Sequence, residues 1–226
     1  MESNKSKQSR RSFIKKAAAG AAITSLPVKS VWATTSCSMS GQLSGNLSQT
    51  SGNVEPVCDV PILSGGRSPG FWYNGNQLDV SNPGKAVNDV FPQMGKKASE
   101  ATQKCWVRMI LTVRNNNQLG INSTLANMIG VSTSITLTQA FMYSGTHKDV
   151  LRHGAAVYLN TYFELYNGVA TSFSEAQSRM AAEEVANMVM NKLYLEGSWA
   201  TDSNLGYNDG YSKASSSSFL FSNMSC

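Results

Sequence analysis

One long amphipathic segment constrains the fold of this chain more than any other part of its sequence. From Thr146 to about Tyr166, apolar residues recur at the spacing of a broad helical face. That face comprises Val150, Leu151, Gly154, Val157, Tyr158, Thr161, Tyr162 and Leu165. Thr146 lies four residues before the first stripe residue, Val150, and is the predicted N-cap. The segment predicts a core helix whose apolar face must be covered by other elements.

A second amphipathic helix is predicted from Ser174 to about Gly197. Ser174 and Gln177 have the spacing of a capping box, and Gly197 stands where a helix would stop. Shorter helices are predicted from Pro83 to Pro92, from Ser99 to Val113, from Thr124 to Ile129 and from Thr136 to Tyr143. Residues 99–113 also alternate as a strand would, but the Ala, Glu, Gln and Lys residues before Cys105 favour the helix.

Ahead of these helices lies a segment of different composition. Residues 34–66 are rich in Ser, Gly, Thr and Asn, which favours short strands or irregular chain over helix. A disordered linker is an equal alternative for this segment. The chain is therefore predicted to be mainly α, with a single compact helical domain at 67–226. A Gly/Ser-rich segment at 34–66 and a leader at 1–33 precede that domain.

The leader has the three parts of a secretory signal. A cationic start is followed by an apolar stretch from Ala17 to Leu26 and by a small-residue end, Val31-Trp32-Ala33. The apolar stretch is about ten residues long, half of the roughly 20 residues that span a bilayer as a helix. It is predicted to be a cleavable signal, with cleavage after Ala33, and not a membrane anchor.

The residues Ser9-Arg10-Arg11-Ser12-Phe13-Ile14-Lys15 resemble the motif of the twin-arginine translocation signal family. Arg10, Arg11, Phe13 and Lys15 are the signal-motif residues, and Ile14 replaces the more usual Leu. The resemblance implies that the twin-arginine translocase is a partner during export. It also implies a periplasmic or secreted mature protein, for which no membrane span is predicted.

The net charge of +5 originates in the leader. Seven basic residues and one acidic residue lie in 1–33, so that 12 basic and 13 acidic residues remain from Thr34 onward. The remaining basic residues are scattered and form no stripe that could follow a phosphate backbone. A nucleic-acid partner is therefore not predicted.

All four cysteines, Cys37, Cys58, Cys105 and Cys226, follow the leader. An even number of cysteines in an exported chain favours two disulfides. Three pairings are possible. A bond between Cys37 and Cys58 would close a short loop, and a bond between Cys105 and Cys226 would tie the tail to the core. Each disulfide would contribute about 3–5 kcal/mol through the entropy of the unfolded chain.

Two sequence features invite a catalytic or metal-binding interpretation. Gly66-Arg67-Ser68-Pro69-Gly70 matches the G-x-S-x-G elbow of serine hydrolases, but Pro69 has no N–H to donate to an oxyanion hole, and a turn is predicted after it. His147 and His153 are separated by about 240° on one helix, so a shared metal is not predicted. Asp149 is spaced to form an exposed ion pair with His153. No metal site and no cofactor are predicted.

The most unusual local sequence is Phe71-Trp72-Tyr73-Asn74, directly after Ser68-Pro69-Gly70. With the later Leu151-Arg152-His153-Gly154-Ala155-Ala156-Val157, it resembles a set of secreted modules that open with S-P-G-[FY]-W-K-N-H and have no assigned activity. The resemblance implies a recurring extracellular fold; Tyr73 and Gly75 depart from the pattern. Either the aromatic residues fill the core, or Phe71, Trp72, Tyr73 and Asn74 form a surface platform that binds a glycan or a peptide.

The activity cannot be identified from the sequence alone. We interpret the chain as an exported, non-enzymatic binding or structural protein of the cell envelope or the secreted fraction. Its partner would be an unidentified protein or glycan. The alternative is a metal- or cofactor-dependent periplasmic enzyme, because the twin-arginine route generally carries proteins that fold around cofactors before export.

Overall fold

A computed structural model describes residues 60, 62–74, 78–90, 98–166 and 175–207. Over these residues the chain is mainly α, as predicted, and β-structure is limited to isolated bridges. The described helices are α1 (Pro69–Tyr73), α2 (Pro83–Val90), α3 (Glu100–Asn116), α4 (Ser123–Ile129), α5 (Leu137–Met142), α6 (Lys148–Tyr162) and α7 (Glu175–Leu195), with a 3-10 turn at Gly197–Trp199.

Helix α6 lies at the centre of the fold and is the core helix that the apolar stripe predicts. Eleven of its fifteen residues are buried. Helix α7 packs along it, and α1 and α5 contact other parts of it. A Cβ on Gly154 would lie within 3 Å of Met190 Sδ on α7, so this glycine lets the two helices approach closely. Burial on several sides explains why the apolar face of α6 is so broad.

Both ends of α6 differ from the prediction. The helix begins after His147, and this cap residue makes no side-chain hydrogen bond, so the prediction of Thr146 as N-cap is wrong. The helix ends at Tyr162 instead of continuing to Tyr166. Glu164 adopts a left-handed conformation with φ of 57°, an unusual one for a residue with a Cβ. This conformation reverses the direction of the chain, so that the residues after Glu164 turn back towards α6.

This reversal has the hydrogen bonds of a Schellman motif. The N–H of Leu165 donates to the carbonyl of Asn160 at 2.8 Å, and the N–H of Glu164 donates to that of Thr161 at 3.0 Å. Phe163, Leu165 and Tyr166 are all buried. These three side chains are buried in the core just after the helix ends. No local sequence pattern predicts that early end.

The shorter helices lie close to their predicted positions. Ser99 caps α3 by accepting from the N–H of Thr102, and Thr136 forms a capping box with Gln139 at the start of α5. The predicted turn after Pro69 is instead the one-turn helix α1, with Pro69 in its first turn, where proline suits a helix. Ser174 and the side chain of Gln177 lie outside the described residues, so the capping box of α7 stays a prediction.

Two backbone hydrogen bonds hold the start of α5 beside the end of α3. The N–H of Leu119 donates to the carbonyl of Ile135 at 2.9 Å, and the N–H of Leu137 donates to that of Asn117 at 3.0 Å. Buried hydrophobic side chains from all these elements form one cluster. Of the helices that the structure describes, none is both long and apolar enough to cross a bilayer.

Candidate functional site

Asn160, on α6, is a fully buried polar residue that joins distant parts of the chain. Its Oδ1 accepts from the backbone N–H of Arg67 at 2.8 Å and from Trp72 Nε1 at 3.0 Å. Its Nδ2 donates to the carbonyl of Arg67 at 2.9 Å and to Tyr166 Oη at 3.1 Å. An amide side chain offers two acceptor positions and two donor hydrogens, so every one of them is satisfied here.

Tyr166 extends this network to the C-terminal part of the described chain. Its hydroxyl donates to the carbonyl of Leu205 at 3.0 Å, and burial raises the pKa of this phenol, so it stays a donor. The N–H of Gly66 donates to the carbonyl of Gly206 at 2.9 Å. A Cβ on Gly66 would lie within 3 Å of Tyr166 and Asn160, so only glycine fits there without displacement. We name Arg67, Trp72, Asn160, Tyr166 and Leu205 the Asn160 network.

Trp72 is fully buried and belongs to the core as well as to this network. Its ring stacks on Phe163 with a centroid distance of 5.9 Å and meets Phe71 edge-on at 5.1 Å. Arg114 on α3 donates to the carbonyl of Trp72 at 3.1 Å. Trp72 therefore fills the core, as one of the two interpretations of the aromatic motif predicted, and its side chain presents no surface to a ligand.

The other three predicted binding residues lie nearer the surface. Phe71 is half-buried under the guanidinium of Arg67, whose Cζ lies 5.6 Å from the ring centroid. Tyr73 is 54% exposed and contacts Phe141 of α5 across 6.4 Å between ring centroids. Asn74 is exposed. Binding by Phe71, Tyr73 and Asn74 stays a prediction, and the exposed part of the motif is its C-terminal end.

The residues of the serine-hydrolase pattern are not arranged as a catalytic pair. Ser68 is exposed and stands before α1. His153 bonds instead to Tyr207, with 3.0 Å between Nδ1 and Oη, and the two rings stack. His147 lies against Tyr194. Neither histidine has a hydrogen bond to Ser68 within the described residues.

The surroundings of His153 also differ from the predicted exposed ion pair. The ring is half-buried, and desolvation lowers its pKa, against the opposing effects of Asp149 and Asp202. Burial keeps the pKa of Tyr207 well above its usual value, so its hydroxyl remains protonated. Across the described part of the chain, no group of three or more His, Cys, Asp or Glu side chains is arranged to hold a metal ion.

A second buried polar cluster lies between α6 and α7. Tyr158 accepts from Asn117 Nδ2 at 3.1 Å, and burial raises its pKa to about 12. The neighbouring Tyr162 stacks on it, and burial together with Glu175 of α7 raises the pKa of its phenol. Glu183 of α7 is half-buried, and its desolvation raises the pKa of its carboxyl group. The two phenols are neutral at physiological pH and cannot act as bases there.

The surface carries a groove of about 520 Å³ at the start of α5. We name it the α5 groove; its lining residues are Val131, Ser132, Ser134, Ile135, Thr136, Gln139 and Tyr143. Its volume falls in the range of small-molecule sites. Sequence reasoning missed this site, although the Thr136-x-x-Gln139 spacing of a capping box was a visible signal that these two side chains lie together.

Several predicted functional residues lie outside the described part of the chain. They are the signal-motif residues Arg10, Arg11, Phe13 and Lys15, the cleavage residue Ala33, and the cysteines Cys37, Cys58 and Cys226. Cys105 lies half-buried on α3, and it is not a free thiol. Which cysteine pairs with which therefore stays a prediction.

Comparison of the chain with protein-family models, curated proteins and solved structures finds no match.

We expect Asn160→Ala to destabilise the fold by about 3–5 kcal/mol, because it leaves Trp72 Nε1, the Arg67 backbone and Tyr166 without their partner. Trp72→Phe, which removes one donor and retains a ring, should cost about 1–2 kcal/mol. Asn127→Ala, at an exposed position of α4, is the matched control and should change stability by less than about 0.5 kcal/mol. Urea unfolding provides the measurement. Equal effects at Asn160 and Asn127 would refute the role of the network.

We expect the stability of the protein to decrease as pH falls below about 6.5, the ordinary His pKa. Because the pKa of His153 is lowered in the folded state, folding favours the neutral ring, and protonation below the unfolded-state pKa favours unfolding. Thermal melting between pH 7.5 and pH 5 should show a smaller decrease for His153→Gln than for the natural chain. His147→Gln should retain the His153 contribution. Identical pH dependence for His153→Gln and the natural chain would contradict the assignment.

Proposed function

We propose that this chain is an exported binding protein of the cell envelope or the secreted fraction, and that it holds its partner in the α5 groove. The observation that carries the proposal is the groove itself, with its about 520 Å³ of space and its lining of uncharged polar and apolar side chains. A combination of hydrogen-bonding groups and apolar contact surface is typical of binding sites.

The loop beside the groove supports the proposal because its shape is fixed by local hydrogen bonds. Gly130 ends α4 in a left-handed conformation, and the N–H of Val131 donates to the carbonyl of Ala126 at 2.9 Å. Further along, the N–H of Ile135 donates to the carbonyl of Ser132 at 3.2 Å. A preformed site loses less conformational entropy when a partner binds.

The twin-arginine pattern supports export through the twin-arginine translocase, with maturation after Ala33. We further propose that the four cysteines form two disulfides once the protein reaches an oxidising compartment. One disulfide would include Cys105 and so fasten α3 to another part of the chain. Such bonds would stabilise the exported protein chiefly by restricting its unfolded state.

Replacing Arg10 and Arg11 together by Lys should leave the precursor in the cytoplasm, because the charge is retained while the paired guanidinium groups are lost. Cell fractionation and immunoblotting measure the ratio of precursor to mature protein. Lys5→Arg is the control and should export normally. Undiminished export of the double variant would show that another route is used.

The binding proposal is tested by sedimentation of the purified mature protein with the insoluble envelope fraction of the producing cell. We expect the natural protein to be retained. Ser134→Trp, which places a large side chain in the groove, should lower retention about tenfold, whereas Asn127→Trp on exposed α4 should not. Circular dichroism checks that both variants fold. Lack of retention of the natural protein, or equal retention of Ser134→Trp, would refute the proposal.

A further inference from the structure

The α5 groove has a lining without charge. None of its seven lining residues is acidic or basic, and five of them carry a hydroxyl or an amide: Ser132, Ser134, Thr136, Gln139 and Tyr143. An ionic ligand would find no opposite charge within this lining. The groove is therefore suited to a neutral ligand that forms hydrogen bonds.

The capping box determines which hydrogen-bonding capacity remains for a ligand. Gln139 Oε1 accepts from the N–H of Thr136 at 2.9 Å, and Thr136 Oγ1 accepts from the N–H of Gln139 at 3.2 Å. The amide hydrogens of Gln139 and the hydroxyl hydrogen of Thr136 are left without partners among the described residues. These two side chains thus offer three donor hydrogens, and each of their oxygens keeps one further acceptor position.

The remaining polar groups add hydroxyl capacity. Ser132 and Ser134 share one hydrogen bond of 2.8 Å between their hydroxyls, so one hydroxyl hydrogen of the pair is available. The Tyr143 hydroxyl has no hydrogen bond within the part of the chain that the structure describes. The ring of Tyr143 packs over Gly145, where a Cβ would lie within 3 Å of it. Tyr143, Val131 and Ile135 supply apolar contact beside these donors.

We propose that the α5 groove binds a neutral carbohydrate, an inference that rests on the proposed binding function. Sugar hydroxyl and ring oxygens accept from Gln139 and Thr136, and the apolar C–H face of a sugar ring packs on Tyr143. A peptide backbone suits the groove less well, because it brings only one N–H and one carbonyl with each residue, whereas one sugar ring presents several hydroxyls, each a donor and an acceptor, to the clustered polar groups. An acyl chain would leave the donors without partners.

The test measures binding of defined neutral oligosaccharides, namely hexamers of glucose, mannose and N-acetylglucosamine, to the full mature protein by titration calorimetry. Hexagalacturonate is the acidic comparison, and an uncharged hexapeptide of Gly, Ser and Asn is the peptide comparison. We expect at least one neutral hexamer to bind at millimolar concentration or below. The acidic sugar and the peptide should bind at least about tenfold more weakly.

Two variants test whether the sugar binds in the α5 groove. Gln139→Glu retains the capping box, because a carboxylate also accepts from the N–H of Thr136, but it removes the amide donors and adds a charge. Tyr143→Leu keeps an apolar side chain and removes the ring and hydroxyl. Each should weaken binding of the neutral hexamer about tenfold or more. Asn127→Asp makes the same charge change at an exposed residue of α4 outside the groove lining and should leave binding unchanged.

The outcomes separate this inference from the proposed function. Sugar binding that Gln139→Glu and Tyr143→Leu leave unchanged overturns the inference, since the sugar would then lie elsewhere. Envelope retention that Ser134→Trp abolishes, without binding of any neutral hexamer or with tighter binding of the peptide, overturns the carbohydrate assignment and leaves the binding function intact. Absence of envelope retention refutes the proposed function itself.

Discussion

The four hydrogen bonds of Asn160 are the constraint on which the rest of the described structure depends. A buried amide without partners would cost several kcal/mol, so the central helix can carry this residue only if other segments supply its partners. Those segments are the turn at Arg67, the ring of Trp72 and the reversed chain at Tyr166. These hydrogen bonds thus specify one arrangement of the chain. They join Asn160 to segments 88 to 93 residues away in sequence and to its near neighbour Tyr166.

The helices could be predicted from the sequence because the signals that produce them are local. The apolar stripe of α6, Pro83 at the start of α2 and the cap at Ser99 are each patterns within a single helix. The end of α6 could not be predicted in this way. Glu164 has no intrinsic preference for the left-handed conformation, and its adoption there follows from the burial of Phe163, Leu165 and Tyr166 by distant parts of the chain.

The aromatic motif illustrates a different limit. Three consecutive aromatic residues on one helical turn point in different directions, so one of them can be buried while the next is exposed. The sequence alone allowed two interpretations of the whole motif, namely that it fills the core or that it forms a surface platform. In the structure Trp72 is buried and Tyr73 is half-exposed. The deciding partners, Asn160 and Phe163, lie about ninety residues away, and neither has a sequence pattern that marks it as a partner of Trp72.

The α5 groove follows from the same physics as the helix beside it. A capping box satisfies two backbone N–H groups with two side-chain oxygens, and it therefore turns the remaining hydrogens of Thr136 and Gln139 away from the helix backbone. Helix α5 was predictable from its sequence, but the groove was not. Val131 and Ile135 reach it through the turn after α4 and through backbone pairing with the residues that follow α3. Residues that stabilise a short helix thus also leave a fixed set of donors at the surface, where uncharged acceptors can bind them.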